Sequence, residues 1–180
     1  MNTVKLIEAV NGGQEQDVQL ILEHAEGKIN QQELQQAFFD SCRHGRVGMA
    51  KLLMPFVDIN FKMGSTGLAA LHVAAQNQQP DTARFLLDHG AEIDIRDNQG
   101  HTPLHIAIDS ELMTAVDLSD NLGCHIPACA ILSAFLIHRG ADINAISADG
   151  ETPLDWALQH KAAEEILLER GAVHGRKGAE

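Results

Sequence analysis

The chain has 180 residues, a formal net charge of −12 and an aromatic content of only 4%, with no tyrosine and a single tryptophan, Trp156. This length allows one domain or a linear array of small units, and the scarcity of aromatic residues favours closely packed helices over a sheet sandwich. An acidic surface repels phosphate backbones, so nucleic-acid binding is not expected.

The N-terminus, "MNTVKLIEAVNGG", lacks the pattern of a signal peptide, and no apolar run approaches the length of a membrane span. Three cysteines, Cys42, Cys124 and Cys129, are too few and too unevenly spaced for a disulfide framework. We therefore expect a cytoplasmic protein with no membrane association.

The first third of the chain contains two weakly marked helical stretches. The first has "LIEAVNGG" followed by "VQLIL", and the second has "DSCRHGRVGMAKLLMPFVDIN". Asn30 followed by Glu33 predicts a capping box at the start of the second stretch.

The rest of the chain contains a repeat with a period of 33 residues. "GLAALHVAA" begins at Gly67, "GHTPLHIAI" at Gly100 and "GETPLDWAL" at Gly150, so the second spacing equals one period plus an insertion of 17 residues. The phrases "VDIN", "GAEIDI" and "GADINA" recur before each of these starts. Such periodicity predicts stacked supersecondary units.

Each unit has signals for two helices. Thr102 and Thr152 suit a helix N-cap whose hydroxyl accepts a backbone N–H, with a proline following at the first helical position. Gly90, Gly140 and Gly171 fit the left-handed residue after a second helix, and an extended arm with a polar turn leads to the next unit.

These motifs resemble the ankyrin repeat, whose pattern includes T-P-L-H-x-A and a G-A-D-x-N ending. The resemblance implies an all-α solenoid of about five helix-turn-helix units with short β-hairpin loops. It divides the chain into one repeat domain, 1–172, and a polar tail, 173–180. The weak repeats are 3–34 and 35–66, and the clear repeats are 67–99, 100–149 and 150–172.

The insertion, about 110–126, lies between the two helices of the fourth unit. The first half of "SELMTAVDLSDNLGCHIP" predicts a prolonged helix, which residues 121–123 should break. The segment could contribute to binding or could be a tolerated loop, and the sequence leaves both open.

The histidines and cysteines raise the question of chemistry. The resemblance implies a structural role for His72 and His105, while Asp155 departs from the pattern in the last unit. Cys124, His125 and Cys129 offer three zinc-type ligands, although structural zinc usually takes four and free cysteines are commonly buried. No phosphate loop, nucleophile elbow or HExxH motif is present, so we expect neither an enzyme nor a cofactor.

The expected function is protein–protein interaction, as an inhibitor, an immunity-type protein or an effector. The alternatives are a zinc module or enzyme built on the Cys/His cluster, and a self-assembling structural protein. We expect a monomer whose partner has a basic surface. The positions that the repeat pattern leaves variable form the candidate concave face: Arg43, His44, Lys62, Met63, Gln76, Asn77, Arg96, Asn98, Gln99, His101, Asp109, Ser110, Ile146, Asp149, Glu151, Gln159 and His160.

Overall fold

A computed structural model describes residues 3–24, 29–122 and 130–175, and the side chains of 6–24, 29–114 and 130–175. Ten α-helices occur in this part of the chain. They are α1 Thr3–Gly12, α2 Glu15–His24, α3 Gln31–Arg43, α4 Val47–Leu53, α5 Ala70–Gln76, α6 Pro80–Asp88, α7 Pro103–Leu122, α8 Ile131–His138, α9 Pro153–Trp156 and α10 Lys161–Glu169. Short 3₁₀ turns, Met54–Phe56 and Ala157–Gln159, follow α4 and α9.

The helices form two stacked rows. Consecutive odd-numbered helices, α1 to α9, contact one another in an inner row, and the even-numbered helices, α2 to α10, do so in an outer row. Each inner helix also packs against the outer helix that follows it in the chain. This arrangement is the predicted solenoid of five helix pairs, and no β-strand occurs in the part of the chain that the structure describes.

A line of large apolar side chains runs through the stack because the repeat motif places one at the same point of each inner helix. Leu6, Phe38, Leu71, Leu104 and Leu154 are each no more than 1% exposed. Leu53, Leu86, Leu136 and Leu167 supply the matching buried line in the outer row. Full burial of one such side chain stabilises the fold by about 2 kcal/mol.

The helix starts differ in one respect from the prediction. The Asn30 half of the predicted capping box is confirmed, since its Oδ1 accepts the N–H of Glu33 at 2.8 Å, while Glu33 Oε1 accepts the side-chain amide of Asn30 at 2.6 Å. The Thr102 hydroxyl, in contrast, donates to His105 Nδ1 at 3.0 Å, and the Thr152 hydroxyl donates to Asp155 Oδ2 at 3.0 Å. This bond from the hydroxyl to the side chain of the third helical residue is a contact that the N-cap prediction did not include.

The helix ends match the glycine prediction. Gly90, Gly140 and Gly171 have φ values of 92°, 94° and 83°, in the left-handed region where a side chain would be strained. Gln78 is the one described residue other than glycine with a positive φ, at 52°, and it lies between α5 and α6. This position is therefore a local source of backbone strain.

The inserted segment prolongs the inner helix of the fourth unit, as predicted. α7 has 20 residues, whereas the equivalent α5 has seven. The Cys124, His125 and Cys129 cluster lies outside the described residues. No helix in the described ranges is long and apolar enough to cross a membrane.

Candidate partner-binding surface

The loops between units end in hydrogen-bonded turns, here called the tips: residues 62–68, 96–101 and 146–151. Asp97 N–H donates to His101 O at 3.0 Å, and Ser147 N–H donates to Glu151 O at 2.9 Å. The first tip closes by Met63 N–H to Leu68 O at 2.8 Å. Each tip is therefore a minimal hairpin, although only the Met63–Leu68 pair forms a β-bridge.

Hydrogen bonds also join each tip to the next. Asn98 N–H donates to Thr66 O at 3.0 Å, and Ala148 N–H donates to Gln99 O at 2.8 Å. The Arg96 guanidinium donates to the carbonyl of its own tip at Gly100, at 3.1 Å, and to the carbonyl of Ile146 in the following tip. Because backbone N–H groups and carbonyls bond within each tip and between neighbouring tips, the three tips form one continuous, fixed row.

A second set of bonds establishes which residues are equivalent between units. Asn60 Oδ1 accepts Glu92 N–H, Asp94 Oδ1 accepts Asp142 N–H, and Asn144 Oδ1 accepts Val173 N–H, at 2.9, 2.9 and 2.8 Å. Counting from these three acceptors, the first residues of the three tips correspond: Lys62, Arg96 and Ile146.

The motif histidines connect neighbouring units. His72 Nδ1 accepts Ala69 N–H at 3.1 Å, so its Nε2 carries the proton and donates to His101 O at 3.0 Å. His105 does the same with Thr102 N–H at 3.2 Å and Glu151 O at 3.4 Å. Burial lowers the pKa of His72 and lowers that of His105 to about 4, so both are neutral at pH 7.

The last unit replaces the motif histidine with Asp155, whose carboxylate accepts rather than donates. Its Oδ2 takes Thr152 N–H at 2.9 Å and Gly175 N–H at 2.7 Å, and its Oδ1 lies 2.7 Å from His174 Nδ1. Burial alone would raise the pKa of Asp155, but the bonds from the Thr152 and Gly175 N–H groups, with His174, lower it to about 2. Residues 173–175, which the repeat pattern assigns to the polar tail, are thus bound to the last unit.

Comparison with known proteins now identifies this architecture. A family model described as ankyrin repeats (3 copies) matches residues 6–97 and residues 57–128. The chain belongs to the ankyrin-repeat family. It is 34% identical over 111 residues to the Neurogenic locus Notch protein of Drosophila melanogaster, covering 62% of this chain and 4% of that protein. It is 34% identical over 126 residues to the human Neurogenic locus notch homolog protein 2, covering 59% of this chain and 5% of that protein. The chain thus spans a small fraction of these relatives' length.

Most of the candidate residues lie at the surface of the ankyrin tips and of the inner row. Arg43 and Gln76 are at the C-terminal ends of α3 and α5, whereas Asp109 and Ser110 lie within the prolonged α7. Ile146 is 54% exposed, which is unusual for a large apolar side chain. The partly exposed members are Met63, Asn77, Ser110 and Glu151, and the exposed ones are Arg43, His44, Lys62, Gln76, Arg96, Asn98, Gln99, Asp109, Ile146, Asp149 and Gln159. The tips bring the residues of 62–66, 96–99 and 146–149 into one row.

His101 does not belong to the exposed set. Its ring is 9% exposed and packs 4.7 Å from the ring of Trp156 in the next unit, and its Nδ1 lies 3.3 Å from Asp97 Oδ2. Asp97 Oδ1 also accepts the N–H groups of Gln99 and His101 at 2.9 and 2.8 Å. The placement of His101 as a contact residue was wrong because the tryptophan covers it.

His160 is also buried, at 0% exposure, although it was expected at the surface. Its Nδ1 accepts Ala163 N–H at 3.4 Å at the start of α10, and its Nε2 lies 3.3 Å from Glu111 Oε2. Glu111 in turn accepts the N–H groups of Leu132 and Ser133 at 2.7 and 3.1 Å. A carboxylate of the prolonged helix therefore caps α8 and packs against the fifth unit.

Glu111, Asp97 and Trp156 were not singled out from the sequence. Glu111 and Trp156 act across the boundary between the fourth and fifth units, which no spacing within one unit marks. Asp97 bonds instead to residues two and four positions later in its own tip. In the part of the chain that the structure describes, no group of three or more His, Cys, Asp or Glu side chains could hold a metal ion.

Proposed function

We propose that this chain is a non-catalytic module that binds a partner protein through its tips and the exposed side of its inner row. The observation that carries the proposal is the fixed row of tips, whose backbones are bonded to one another while Asn98, Gln99 and Asp149 remain exposed. Side chains on a fixed backbone lose little conformational entropy on binding. Ankyrin repeats generally bind other proteins, which agrees with this use.

The module acts, in this proposal, by covering part of its partner's surface, as an inhibitor or an immunity-type protein does. The net charge of −12 speeds association with a partner that has a basic patch, most strongly at low salt. We place the protein in a reducing compartment such as the cytoplasm. In support, Cys42 is a buried free thiol, the state in which reducing compartments keep cysteines.

We further propose that the module works as a monomer. In the inner units, His72 and His105 each donate to a carbonyl of the unit stacked beyond them. The equivalent Asp155 is occupied by Gly175 and His174 of its own chain. A second copy could not use this end as an inner unit does without displacing residues 173–175.

Affinity capture from the native host with paired variants tests the proposed face. Gln76→Arg combined with Gln99→Arg places two bulky charges on exposed positions of the inner helices and tips. The matched control is Lys51→Glu, an exposed position on the outer helix α4. Arg96 is unsuitable because its guanidinium bonds to two tip carbonyls, so its replacement would disturb the fold.

We expect the paired variant to lose a partner protein that the wild type and Lys51→Glu both retain. Circular dichroism should show that all three proteins remain equally helical. Capture that survives the paired change but is lost with Lys51→Glu would place binding on the outer row and refute the proposal.

A further inference from the structure

The exposed charges of the binding face change sign along the solenoid. The first residues of the three tips, Lys62, Arg96 and Ile146, run from basic to apolar. The residues before the tip glycines, Thr66, Gln99 and Asp149, run from neutral to acidic. Both lines of equivalent positions therefore become less positive from the second unit to the fourth.

The positions four residues after the motif histidine, on the inner row, repeat this change independently. Equivalent positions are occupied by Arg43 in the second unit, Gln76 in the third, Asp109 in the fourth and Gln159 in the fifth, and all four are exposed. The Arg43 guanidinium is 50% exposed and lies 3.7 Å from Asp40 Oδ1, so its charge still faces solvent. The sign thus changes between the second and fourth units here as well.

The outer row shows no such change. Its basic side chains extend from the second unit to the last and include Lys51, Arg84, Arg139 and Lys161. In the described part of the chain, the exposed basic residues of the tips and inner-helix ends are confined to Arg43, Lys62 and Arg96. The polarity therefore belongs to the binding face and does not follow from overall composition.

The two ends of this face act on a partner separately. Packed helices lie about 10 Å apart, so Arg43 and Asp109, two units apart, are separated by about 20 Å, and the second and fifth units by about 30 Å. The screening length at physiological salt is about 8 Å, which isolates the basic end from the acidic end. An extended segment of about 10 residues spans the same distance.

We propose that the face binds a polarised segment of a partner protein, with acidic residues against the second and third units and basic residues against the fourth and fifth. This inference rests on the proposed binding function and adds the charge pattern of the partner. The basic end of the partner segment meets Asp109 and Asp149. Glu151 adds a further negative charge at this end of the face, and its carboxylate accepts the Trp156 indole N–H at 2.8 Å.

A phage-displayed library of random 16-residue peptides tests the inference. Peptides selected on the full chain at 50 mM salt should carry acidic residues at one end and basic residues at the other. Selection on Arg43→Glu combined with Lys62→Glu should remove the acidic enrichment. Selection on Asp109→Lys combined with Asp149→Lys should remove the basic enrichment.

Affinities of one selected peptide then separate this inference from the proposed function. We expect each double charge reversal to weaken binding about tenfold at 50 mM salt and by less than about threefold at 500 mM, because exposed charge pairs are screened. The single controls Lys51→Glu and Glu169→Lys, on exposed outer helices, should change affinity by less than about twofold.

Binding that Gln76→Arg with Gln99→Arg abolishes, but that neither double reversal changes, would overturn the polarity and leave the proposed function intact. Peptides with the same charge at both ends would overturn it in the same way. A selection whose binders respond only to the outer-row controls, or that yields no binder dependent on this face, would count against both.

Discussion

Lowering the pH should weaken the contact between the fourth and fifth units through His105. The His105 ring is neutral in the folded protein, since its Nδ1 accepts Thr102 N–H and burial lowers its pKa from 6.5 to about 4. In the unfolded chain the same ring takes up a proton at the ordinary pKa. The unfolded state therefore binds more protons below pH 6.5, and stability falls as the pH falls from about 6.5 to about 4.

The size of this effect follows from the two pKa values. At pH 7.5 neither state is protonated, so His105 contributes almost no pH dependence. At pH 5 the unfolded ring is almost fully protonated and the folded ring is not, which corresponds to a loss of about 2 kcal/mol. Burial lowers the pKa of His72 as well, so the free energy of unfolding of the whole protein should fall by more than the contribution of His105 alone.

His105→Asn isolates the contribution of this one ring. Asp155 Oδ2 accepts Thr152 N–H at 2.9 Å from the equivalent position, so an asparagine at 105 can accept Thr102 N–H while staying uncharged. Urea unfolding at pH 7.5 and at pH 5, followed by far-UV circular dichroism, gives the free energy of unfolding of both proteins. The only tryptophan, Trp156, lies 5.4 Å from the His105 ring and provides a second, local signal.

We expect the variant to be less stable at pH 7.5, because it loses the bond to Glu151 O and the packing against Trp156. At pH 5 the difference between the two proteins should shrink by about 2 kcal/mol. A difference that is the same at both pH values would refute the assignment of His105 as a neutral, buried connector.

Three further changes test the strained and capping positions. A Cβ at Gly175 would lie 2.1 Å from Gly150 O, so Gly175→Ala should lower the free energy of unfolding by about 1–3 kcal/mol, measured in urea against Val173→Ala as a neutral control. Glu111→Ala should cost about 2–3 kcal/mol, because it uncaps α8, whereas Glu111→Gln keeps an acceptor and should cost less in the same assay. Gln78→Gly should raise the melting temperature, because it removes about 1 kcal/mol of strain from the left-handed backbone. A lower melting temperature would show that the contacts of the Gln78 side chain outweigh this strain.

The sequence allowed the solenoid to be predicted because its signals lie within single units. The period of 33 residues marks the inner helices, and Gly90 and Gly140 mark the ends of outer helices. The N-terminal units lack the Thr-Pro signal, yet they form because Leu6 and Phe38 continue the buried line. Such local signals are repeated, so several copies support one another.

The binding face was harder to predict, because exposure depends on what the neighbouring unit contributes. His101 and His160 occupy positions that the repeat pattern leaves variable, and both were expected at the surface. Trp156 covers the first and Glu111 lies against the second, and each comes from a different unit. A variable position is therefore free to evolve contacts within the stack as well as contacts with a partner.

The residue after the motif leucine shows how one position serves different places in the stack. In the second unit Phe39 packs its ring edge-on against Phe61, 6.5 Å away, and needs no polar partner. In the inner units the histidine accepts an N–H of its own helix start with Nδ1 and donates from Nε2 to a carbonyl of the next unit. In the fifth unit the N–H of Gly175, and not a carbonyl, faces this position, so a second donor here would be buried against a donor. Asp155 avoids this cost by accepting N–H groups from both its own helix start and residue 175, which makes the C-terminal segment part of the domain.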